Sequence, residues 1–494
     1  MRSPKMIPRG RPAGKAGMGG FMKYPATGDS FIARIAVRSC AWCERWVPDA
    51  YTVVVLVVAA VAAGALALGA GPVTVAKSFG DGFWSLIPFT MQMTFIIIGG
   101  YVTADSPPVA KLIQRVAAIP KTPRGAIVLV AVSSMALALI HWGLCLVVAS
   151  LLARTLAQRS DLKMDYRAAG AAAYLGNGSV WALGLSSSAA QLQANPASMP
   201  PNMLAVTGVI PFSETIFLWQ SMVLAAVVIV ASTWTTWSTA PDAAHTRTAQ
   251  DMGVDVHQQL RAPLVRTRPG EWLEFSPLLT IFVLAMAVVW LIDQIARNGV
   301  MLTISSLNNY NFIFLMTGLA LHWRPRRFLD SAARSMSSVA GVLIQFPMLG
   351  AISMMMTGAK NAEGETVAGV LARLFSEYAA GPAFAFVVGI YSAFLGLLVP
   401  SGGGKWVIEA PYVMQAANEM QYHLGWTVQI YNAAEALPNL INAFWMLPVL
   451  GILGLKAREL IGFTFVQLMV NLPVVLVLLW LLGMTLNYHP PVMP

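Results

Sequence analysis

The chain has 494 residues, of which 57% are hydrophobic and only 11% are charged, and its mean hydropathy is +0.64. Soluble globular domains carry about a quarter charged residues, so this composition excludes an ordinary soluble enzyme or binding module. The net charge of +10 lies in short segments between long apolar runs, which indicates membrane topology and not a nucleic-acid surface. The sequence therefore predicts an all-α polytopic membrane protein.

Residues 1–45 are expected to form a disordered basic cytoplasmic tail, because glycine, proline, lysine and arginine are abundant near the N-terminus. Cys40 and Cys43 form a C-x-x-C pair, but no second pair or nearby histidine completes a metal site. The first apolar run begins near residue 50, too late for a signal peptide, and is interpreted as an anchored span. Apolar runs of about 20 residues suffice to cross a bilayer. The predicted spans lie near 51–70, 86–104, 168–190, 211–233, 276–296, 308–322, 335–357, 429–455 and 460–483.

Basic residues indicate which loops face the cytoplasm, because short cytoplasmic loops are rich in lysine and arginine. Six segments hold 27 of the 32 basic residues: 1–49, 105–124, 153–167, 234–274, 323–334 and 456–458. If the run 125–153 crossed the membrane, the basic segments on either side of it would lie on opposite faces. We therefore expect 125–153 to form a re-entrant hairpin that turns at HWGLC, residues 141–145. The run 381–418 poses the same problem from the other face, and PSGGG at 400–404 supplies its turn.

This topology predicts two inverted repeats, each with five elements in the order span, span, hairpin, span, span. The first repeat occupies 46–233 and the second 298–494. A cytoplasmic linker, 234–274, and an extra span, 275–297, join the repeats and reverse the second one. Inverted repeats with broken helices at the membrane midplane are typical of secondary transporters. The symmetry is one of pattern, because no residue-by-residue repeat is detectable.

Each half has a second interruption in the span that follows its hairpin. The first is YLGNGSVWALGLSSS at 174–188, and the second is YNAAEALPNLINAFW at 431–445, where Glu435 and Asn439 flank Pro438. Broken helices free backbone N–H groups that carry partial positive charge, so two hairpin tips and two breaks predict a carboxylate site. The expected substrate-binding residues are Ser401, Gly402, Gly403, Gly404, Lys405, Trp406, His141, Trp142, Gly143, Asn177, Gly178, Ser179 and Asn439.

Charged side chains at membrane depth indicate either function or a specific partner. Lys405 either faces the substrate carboxylate or forms a structural ion pair with Glu409 on the same helix face; snorkelling to an interface is a third interpretation. Glu435 is either a proton carrier or a hydrogen-bonded residue that fixes the helix break. His141 is either a proton relay or a helix–helix hydrogen bond. Glu435, Glu409 and His141 are therefore the candidate proton-coupling residues.

Several motifs occur in the same order as in a known family. The resemblance covers essentially everything after the N-terminal tail. They are WVPDAY at 46–51, GDGFWSLIPFTMQM at 80–93, WGLCLVV at 142–148, GVLIQFPMLGAI at 341–352, VPSGGGKWVIEAP at 399–411 and E…N…FW at 435–445. The chain resembles the bacterial short-chain fatty acid transporter family, of the acetoacetate and butyrate uptake (AtoE) type. The family residues that match are Ser401 to Gly404, Trp406, Trp142, Gly143, Glu435 and Asn439.

The resemblance implies uptake of small monocarboxylates such as butyrate or acetoacetate across the bacterial inner membrane. It also implies kinship with the larger ion-transporter superfamily, whose members pair hairpins in a mobile transport domain and often dimerise. We therefore expect an elevator-like symporter in the lipid bilayer, a homodimer with a cytoplasmic N-terminus, no nucleic-acid partner and no cofactor. The titratable candidates favour a proton as the coupling ion, and sodium held by exposed carbonyls is the alternative.

Three residues depart from the family pattern. Lys405 stands where a neutral or imidazole side chain is expected, Glu409 replaces an amide, and His141 also replaces an amide. The added charge bears on substrate range and on the coupling ion, and a 3-oxo or 3-hydroxy acid is consistent with it.

Other functional classes make different predictions. A membrane-embedded enzyme needs a nucleophile–base pair or clustered metal ligands, but the six histidines are scattered and neither H-E-x-x-H nor G-x-S-x-G occurs. A passive anion channel also uses glycine-rich breaks, and saturable uptake with counterflow separates a carrier from it. A non-transporting membrane sensor predicts no uptake in reconstituted vesicles.

Overall fold

The computed structural model describes residues 31–85, 87–196, 199, 201–256, 266–370, 383–398, 402–443 and 445–493. Regular structure in these residues is helical and contains no strand, which confirms the predicted all-α class. Among the described residues, six stretches are long and apolar enough to cross a membrane: Pro72–Asp105, Pro123–Ile140, Trp219–Thr239, Pro269–Val300, Val339–Gly358 and Ala457–Gly483. Phe31–Trp46 and Tyr51–Ala67, bent by 73°, add a seventh if they count together as one span. The chain is a multi-pass membrane protein.

The described helices fall on either side of the predicted linker 234–274. Those before the linker are α1 (Phe31–Trp46), α2 (Ala50–Ala67), α3 (Pro72–Ser85), α4 (Ile87–Asp105), α5 (Pro107–Ala117), α6 (Pro123–Ile140), α7 (Trp142–Ala157), α8 (Tyr166–Ser179), α9 (Ser188–Gln193), α10 (Pro201–Thr207) and α11 (Trp219–Thr239). Those after it are α12 (Trp272–Phe275), α13 (Leu278–Ser305), α14 (Leu307–His322), α15 (Pro325–Gly358), α16 (Phe384–Leu398), α17 (Gly402–Glu419), α18 (Leu424–Asn439), α19 (Leu447–Leu453) and α20 (Ala457–Gly483).

The first predicted hairpin corresponds to α6 and α7, which pack against each other and against α8. The interruption predicted at 141–145 is confined to His141, whose backbone is extended, with φ −159° and ψ 124°. The second hairpin corresponds to α16 and α17, which both pack on α18, while residues 399–401 lie outside the described residues. The re-entrant paths and the opposite orientation of the repeats stay predictions.

The helices pack in two groups. A scaffold group contains α2, α3, α4, α14 and α15, and a site group contains α6, α7, α8, α11, α16, α17, α18 and α20. The groups meet where α4 contacts α7 and where α19 contacts both α15 and α7. Helix α13 packs mainly on α14 and leaves most of its large apolar side chains exposed.

Helix α1 replaces the last third of the expected disordered tail, because residues 31–46 fold against α20. The small side chains of Ala33, Ala36, Cys40 and Cys43 recur every three or four residues and form one buried stripe. Such a stripe is the ordinary requirement for a helix that packs on a neighbour. Composition averaged over 1–45 hid this local period, and residues 1–30 lie outside the described residues.

The predicted linker is anchored to the site group at the end of the molecule where α7 ends and α8 begins. The amide of Tyr166 donates to the carbonyl of Arg247 at 2.9 Å, and Arg154 donates to the carbonyl of Asp255 at 3.0 Å. Arg154 also donates to the carbonyl of Ile452 at 3.0 Å, so one guanidinium joins the linker to both halves of the chain.

Candidate functional site

The two helices in which the sequence predicts broken spans, α8 and α18, end at the same place in the molecule. Helix α8 ends at Ser179 and α18 ends at Asn439, and the two ends are joined by hydrogen bonds. The Asn439 amide donates to the carbonyl of Asn177 at 3.3 Å, and the hydroxyl of Tyr174 donates to the carbonyl of Asn439 at 2.8 Å. Each helix end therefore has a backbone carbonyl that accepts a hydrogen bond from a side chain of the other helix.

The helix ends lie within the stretches 174–188 and 431–445 that the sequence singles out. Asn177, Gly178 and Ser179 are helical, and the first break begins at Val180 and continues as a 3-10 turn, Trp181–Leu183. Glycine at 176 and 178 serves close packing: a Cβ on Gly178 would lie 2.5 Å from a methyl of Leu440. Pro438 likewise sits in the last turn of α18, and the second break follows it.

Each hairpin tip packs against the break of the opposite half. Trp142, the first residue of α7, meets Trp445 edge to face with ring centroids 5.8 Å apart. Gly402, the first residue of α17, lies so close to Trp181 that a Cβ on it would be 2.7 Å from Cη2 of the indole. Two helix N-termini and two helix C-termini thus converge, which brings the predicted residues of both tips and both breaks into one region.

Lys405 is the centre of a buried ion cluster. Its Nζ lies 2.6 Å from Glu435 Oε2 and 3.3 Å from Glu409 Oε1, and it donates to the carbonyl of Ser392 at 2.6 Å. The Ser392 hydroxyl donates to Glu409 in turn. Lys405 has no exposed surface, and Glu409 and Glu435 are each 1% exposed. One ammonium therefore faces two carboxylates in a site closed to bulk water.

Aromatic rings and a glycine line this cluster. The Lys405 ammonium lies 4.5 Å from the ring centroid of Tyr431, a favourable cation–π distance. The hydroxyl of Tyr431 donates to the carbonyl of Gly402 at 2.5 Å, and its ring packs on Trp406 at 4.6 Å. A Cβ on Gly396 would lie 3.1 Å from Glu435 Oε2, so α16 passes directly beside the ion pair.

Three buried donors near the cluster have no hydrogen-bond acceptor among the described residues. They are Nδ2 of Asn177, Nε1 of Trp181 and Nε1 of Trp406, from the first broken span, its 3-10 turn and the second hairpin. A buried donor without a partner costs about 1–3 kcal/mol, and such groups call for an explanation such as a ligand. The arrangement suits an anion that accepts hydrogen bonds from several N–H groups.

His141 serves as a helix cap. Its Nδ1 accepts the amide hydrogen of Gly143 at 3.0 Å, and its ring stacks on Tyr310 of α14 at 3.4 Å. A proton on Nδ1 would remove this acceptor, so the geometry favours the structural interpretation over the proton relay.

The remaining predicted residues are three glycines at the tip of the second hairpin and Ser401 just before them. Gly402, Gly403 and Gly404 begin α17, and a Cβ on Gly403 would lie 3.4 Å from the side chain of Ser188. Ser401 lies outside the described residues. Sequence reasoning missed Trp181 and Ser188, although both stand in the quoted stretch 174–188, because neither lies next to the glycines at 176 and 178 or at a predicted hairpin tip.

Sequence comparison identifies the family. The family model described as short chain fatty acid transporter matches residues 31–482. A protein of Escherichia coli K12 named as a short-chain fatty acid transporter is 31% identical over 440 residues, 89% of this chain and 97% of its own. A protein of Haemophilus influenzae Rd with the same name is 30% identical over 463 residues, 91% of this chain and 100% of its own.

Two solved transporter structures are also similar. MtrF of Neisseria gonorrhoeae, described with a class of antimetabolite efflux pumps, has a TM-score of 0.46 at 12% identity, with coverage of 93% of this chain and 100% of MtrF. The YdaH transporter of Alcanivorax borkumensis has a TM-score of 0.45 at 16% identity, with coverage of 88% of this chain and 98% of YdaH.

The family match excludes the enzyme alternative and confirms the resemblance seen in the motifs. The matched region, residues 31–482, contains both hairpins, both broken helices and the ion cluster. The chain belongs to the short-chain fatty acid transporter family.

Proposed function

We propose that this protein imports small monocarboxylates such as butyrate or acetoacetate in symport with a proton that binds the Lys405 cluster. The observation that carries the proposal is the charge of the cluster. With Glu409 and Glu435 both ionised, one lysine leaves the site with an excess negative charge, and all three side chains are buried. An uncompensated charge is expensive to bury. A proton on one carboxylate makes the cluster neutral.

Glu435 is the carboxylate that we assign to the mobile proton. Glu409 is held by Lys405 and by the Ser392 hydroxyl on the two arms of the same hairpin. Glu435 belongs to a different element, α18, and its carboxylate contacts the hairpin through Lys405. Protonation of Glu435 therefore changes the contact between hairpin and broken helix, which is where a conformational change has to act.

The substrate carboxylate occupies the region of the unpartnered donors in this proposal. Asn177, Trp181 and Trp406 supply N–H groups, and the first turn of α17 supplies backbone amides. A helix N-terminus favours a negative charge. Lys405 is fully occupied by its carboxylates, so it contributes charge balance to the substrate site and does not itself bind the substrate.

The coupling follows from electrostatic repulsion. At a separation of roughly 10 Å and an effective dielectric constant of about 20, two like charges repel by roughly 1.7 kcal/mol. An ionised Glu435 therefore lowers the affinity for a carboxylate roughly tenfold relative to the protonated form. Substrate anion and proton consequently bind together and leave together, which is the requirement for symport.

The ion cluster favours a proton over sodium. Sodium needs several oxygen ligands, and the oxygens gathered here, from Ser392, Glu409 and Glu435, already surround the Lys405 ammonium. The lysine acts as a tethered cation in a place where a dissolved cation would otherwise bind. This supports the proton and leaves the carbonyls at Asn177 and Asn439 as the sodium alternative.

The membrane arrangement in this proposal keeps the predicted topology. The N-terminus is cytoplasmic, the repeats 46–233 and 298–494 are inverted, and the protein resides in the bacterial inner membrane. The site group moves against the scaffold group in an elevator-like cycle. The exposed apolar surface of α13 is available for lipid or for a second copy in a homodimer.

The test is uptake of labelled butyrate and acetoacetate by purified protein in vesicles, with proton and sodium gradients imposed separately. Wild type is expected to accumulate substrate with the proton gradient. Glu435→Gln is expected to lose this accumulation and to retain exchange of internal for external substrate, because the neutral amide imitates the loaded state.

Glu363→Gln, an exposed glutamate, is the matched control and is expected to behave as wild type. Accumulation driven by sodium alone would overturn proton coupling. Flux that neither saturates nor shows counterflow would favour a channel, and absence of uptake would favour a sensor.

A further inference from the structure

A second titratable cluster lies at the end of the molecule where α18 begins. His489 Nε2 pairs with Glu214 Oε2 at 2.9 Å, and the His489 ring meets the ring of His423 at 5.1 Å, edge to face. The side chains of His489 and Glu214 are 39% and 33% exposed, so both are in contact with the solvent. His423 is buried and its Nδ1 accepts the amide hydrogen of Trp426, as the cap of α18.

The titratable surroundings of this cluster are few. Burial, together with the neighbouring His489, holds the pKa of His423 below its usual value, so this ring stays neutral and keeps its cap. Burial raises the pKa of Tyr422 to about 12, and Tyr488 donates to Asn418. Glu419, at the end of α17, accepts from Gln415 on its own helix. The Glu214–His489 pair is thus the solvent-exposed acid–base pair at the start of α18.

A chain of buried polar side chains begins next to this pair. Thr215 follows Glu214, and its carbonyl accepts from the hydroxyl of Ser221 at 2.6 Å. Ser221 accepts from Nε2 of Gln429 at 2.8 Å, and Oε1 of Gln429 accepts from Asn432 at 2.6 Å. These side chains are at most 1% exposed, although they lie between apolar helices. The chain of contacts runs from α11 onto α18 and then toward the interior.

The chain points at the ion cluster. Glu435 is three residues beyond Asn432 on α18, so the two side chains share a helix face. From His423 to Glu435 the helix advances twelve residues, about 18 Å at about 1.5 Å per residue. A bilayer core is about 30 Å thick, so this distance reaches from one surface to the midplane.

We propose that Glu214, His489, Ser221, Gln429 and Asn432 form the access path by which a proton reaches Glu435 from the solvent at the start of α18. His489 gains a proton from solvent while paired with Glu214, and the proton is finally bound by a carboxylate oxygen of Glu435, with no other bond broken. The hydroxyl and amides hold water molecules between the two ends, since a buried water needs two to four polar partners. The inference rests on the proposed proton symport.

The path belongs to one packed unit. Helices α11, α18 and α20 pack together, and the C-terminal segment is fixed to it by Gln220, which donates to Thr485 at 2.9 Å. Val209 also donates to the carbonyl of Val492 at 2.8 Å. Because these contacts lie within or against the site group, the path travels with Glu435 if the site group moves.

Ser221→Ala is the informative variant, and Ser232→Ala is its matched control. Both serines lie on α11 without exposed surface, but the Ser232 hydroxyl contacts Asn471 at 3.1 Å, away from the path. We expect Ser221→Ala to slow proton-driven butyrate uptake roughly tenfold, because loss of about one hydrogen bond corresponds to about a tenfold change in rate. Substrate exchange at equal pH on both sides should keep its wild-type rate in both variants. Equal proton-driven rates in the two variants would overturn the access path.

His489→Gln supplies a second measurement that does not disturb the buried helices. When the pH is varied on the side of the membrane where α18 begins, His489→Gln is expected to show slower proton-driven uptake than wild type. His245 pairs with Asp242 in the linker, and His245→Gln is the control. An unchanged pH profile in His489→Gln would also overturn the path. If wild type itself shows no proton-driven uptake, the proposed symport fails first, which separates the two failures.

Discussion

The ammonium of Lys405 lies 2.6 Å from Glu435 Oε2, and this contact ties the second hairpin to the second broken helix. The same ammonium contacts Glu409 one turn along its own helix at 3.3 Å. Lys405 is therefore neither a free substrate ligand nor only the partner of Glu409. It connects two elements that come from different parts of the chain.

Lys405→Met is expected to reduce stability and abolish proton-driven uptake. The substitution leaves two buried carboxylates without their cation, and loss of one partner of a buried ion pair costs about 3–5 kcal/mol. Thermal unfolding in detergent and vesicle uptake measure the two effects. The exposed Lys360→Met is the control. Normal uptake in a destabilised Lys405→Met protein would confine the lysine to a structural ion pair.

The sequence could predict half of this cluster. Lys405 and Glu409 are four residues apart, and helical periodicity alone places them on one face. Glu435 has no basic residue near it along the chain, so its partner appears only when α17 packs against α18. Ser392 is not predicted for the same reason. Its backbone carbonyl accepts a hydrogen bond from Lys405, and this contact depends on how α16 and α17 pack, not on the serine side chain.

Other differences also arise from packing. Helix α1 was hidden by the composition of the segment before it, although its small residues have a helical period. Glycine weakens helices, but the glycines in the predicted interruption 174–188 do not themselves break α8. The structure uses Gly176 and Gly178 for close contact with Ser134 and Leu440, and the helix ends only at Ser179.

Gly396→Ala is expected to abolish transport while the protein still folds. The new methyl group would lie 2.9 Å from Cγ of Pro438 and 3.1 Å from Oε2 of Glu435, between rigid and charged neighbours. Gly389→Ala on the same helix is the control, because the closest atom to its methyl is the flexible end of Leu476. The measurement is vesicle uptake per amount of folded protein in each variant. Equal activity of the two variants would contradict a tight contact at the ion cluster.

His141→Asn is expected to keep proton-driven uptake, whereas His141→Ala should lose stability. Asparagine is a good N-cap that still accepts from the Gly143 amide, and removal of a cap costs about 0.5–2 kcal/mol. Thermal unfolding and uptake with an imposed proton gradient distinguish the roles. A His141→Asn protein that folds and exchanges substrate without responding to the proton gradient would restore His141 as a relay.

Asp165→Asn is expected to lower the free energy of unfolding by about 3–5 kcal/mol, because it leaves Arg167 buried beside a neutral partner. Asp165 accepts from Arg167 at 2.8 Å, caps α8 through Ala168 and accepts from the amide of Arg247. Asp161→Asn is the matched control, since Asp161 pairs with Arg159 at 2.6 Å but is exposed. Denaturation of both proteins in detergent compares a buried pair with an exposed one. Similar midpoints would show that the buried network contributes little.

Trp181→Phe is expected to weaken substrate binding, with only the loss of stability that the removed ring edge causes. Nε1 of Trp181 has no acceptor among the described residues, so its removal breaks none of their hydrogen bonds, while the lost ring edge contains Cη2, the atom that would lie closest to a Cβ on Gly402. One lost hydrogen bond to a carboxylate is worth about 1.5–3 kcal/mol, which predicts a rise in KM of roughly tenfold or more at similar maximal rate. Trp84→Phe, an exposed indole in α3, is the control. An unchanged KM with a lowered unfolding temperature would assign Trp181 to packing alone and remove it from the substrate site.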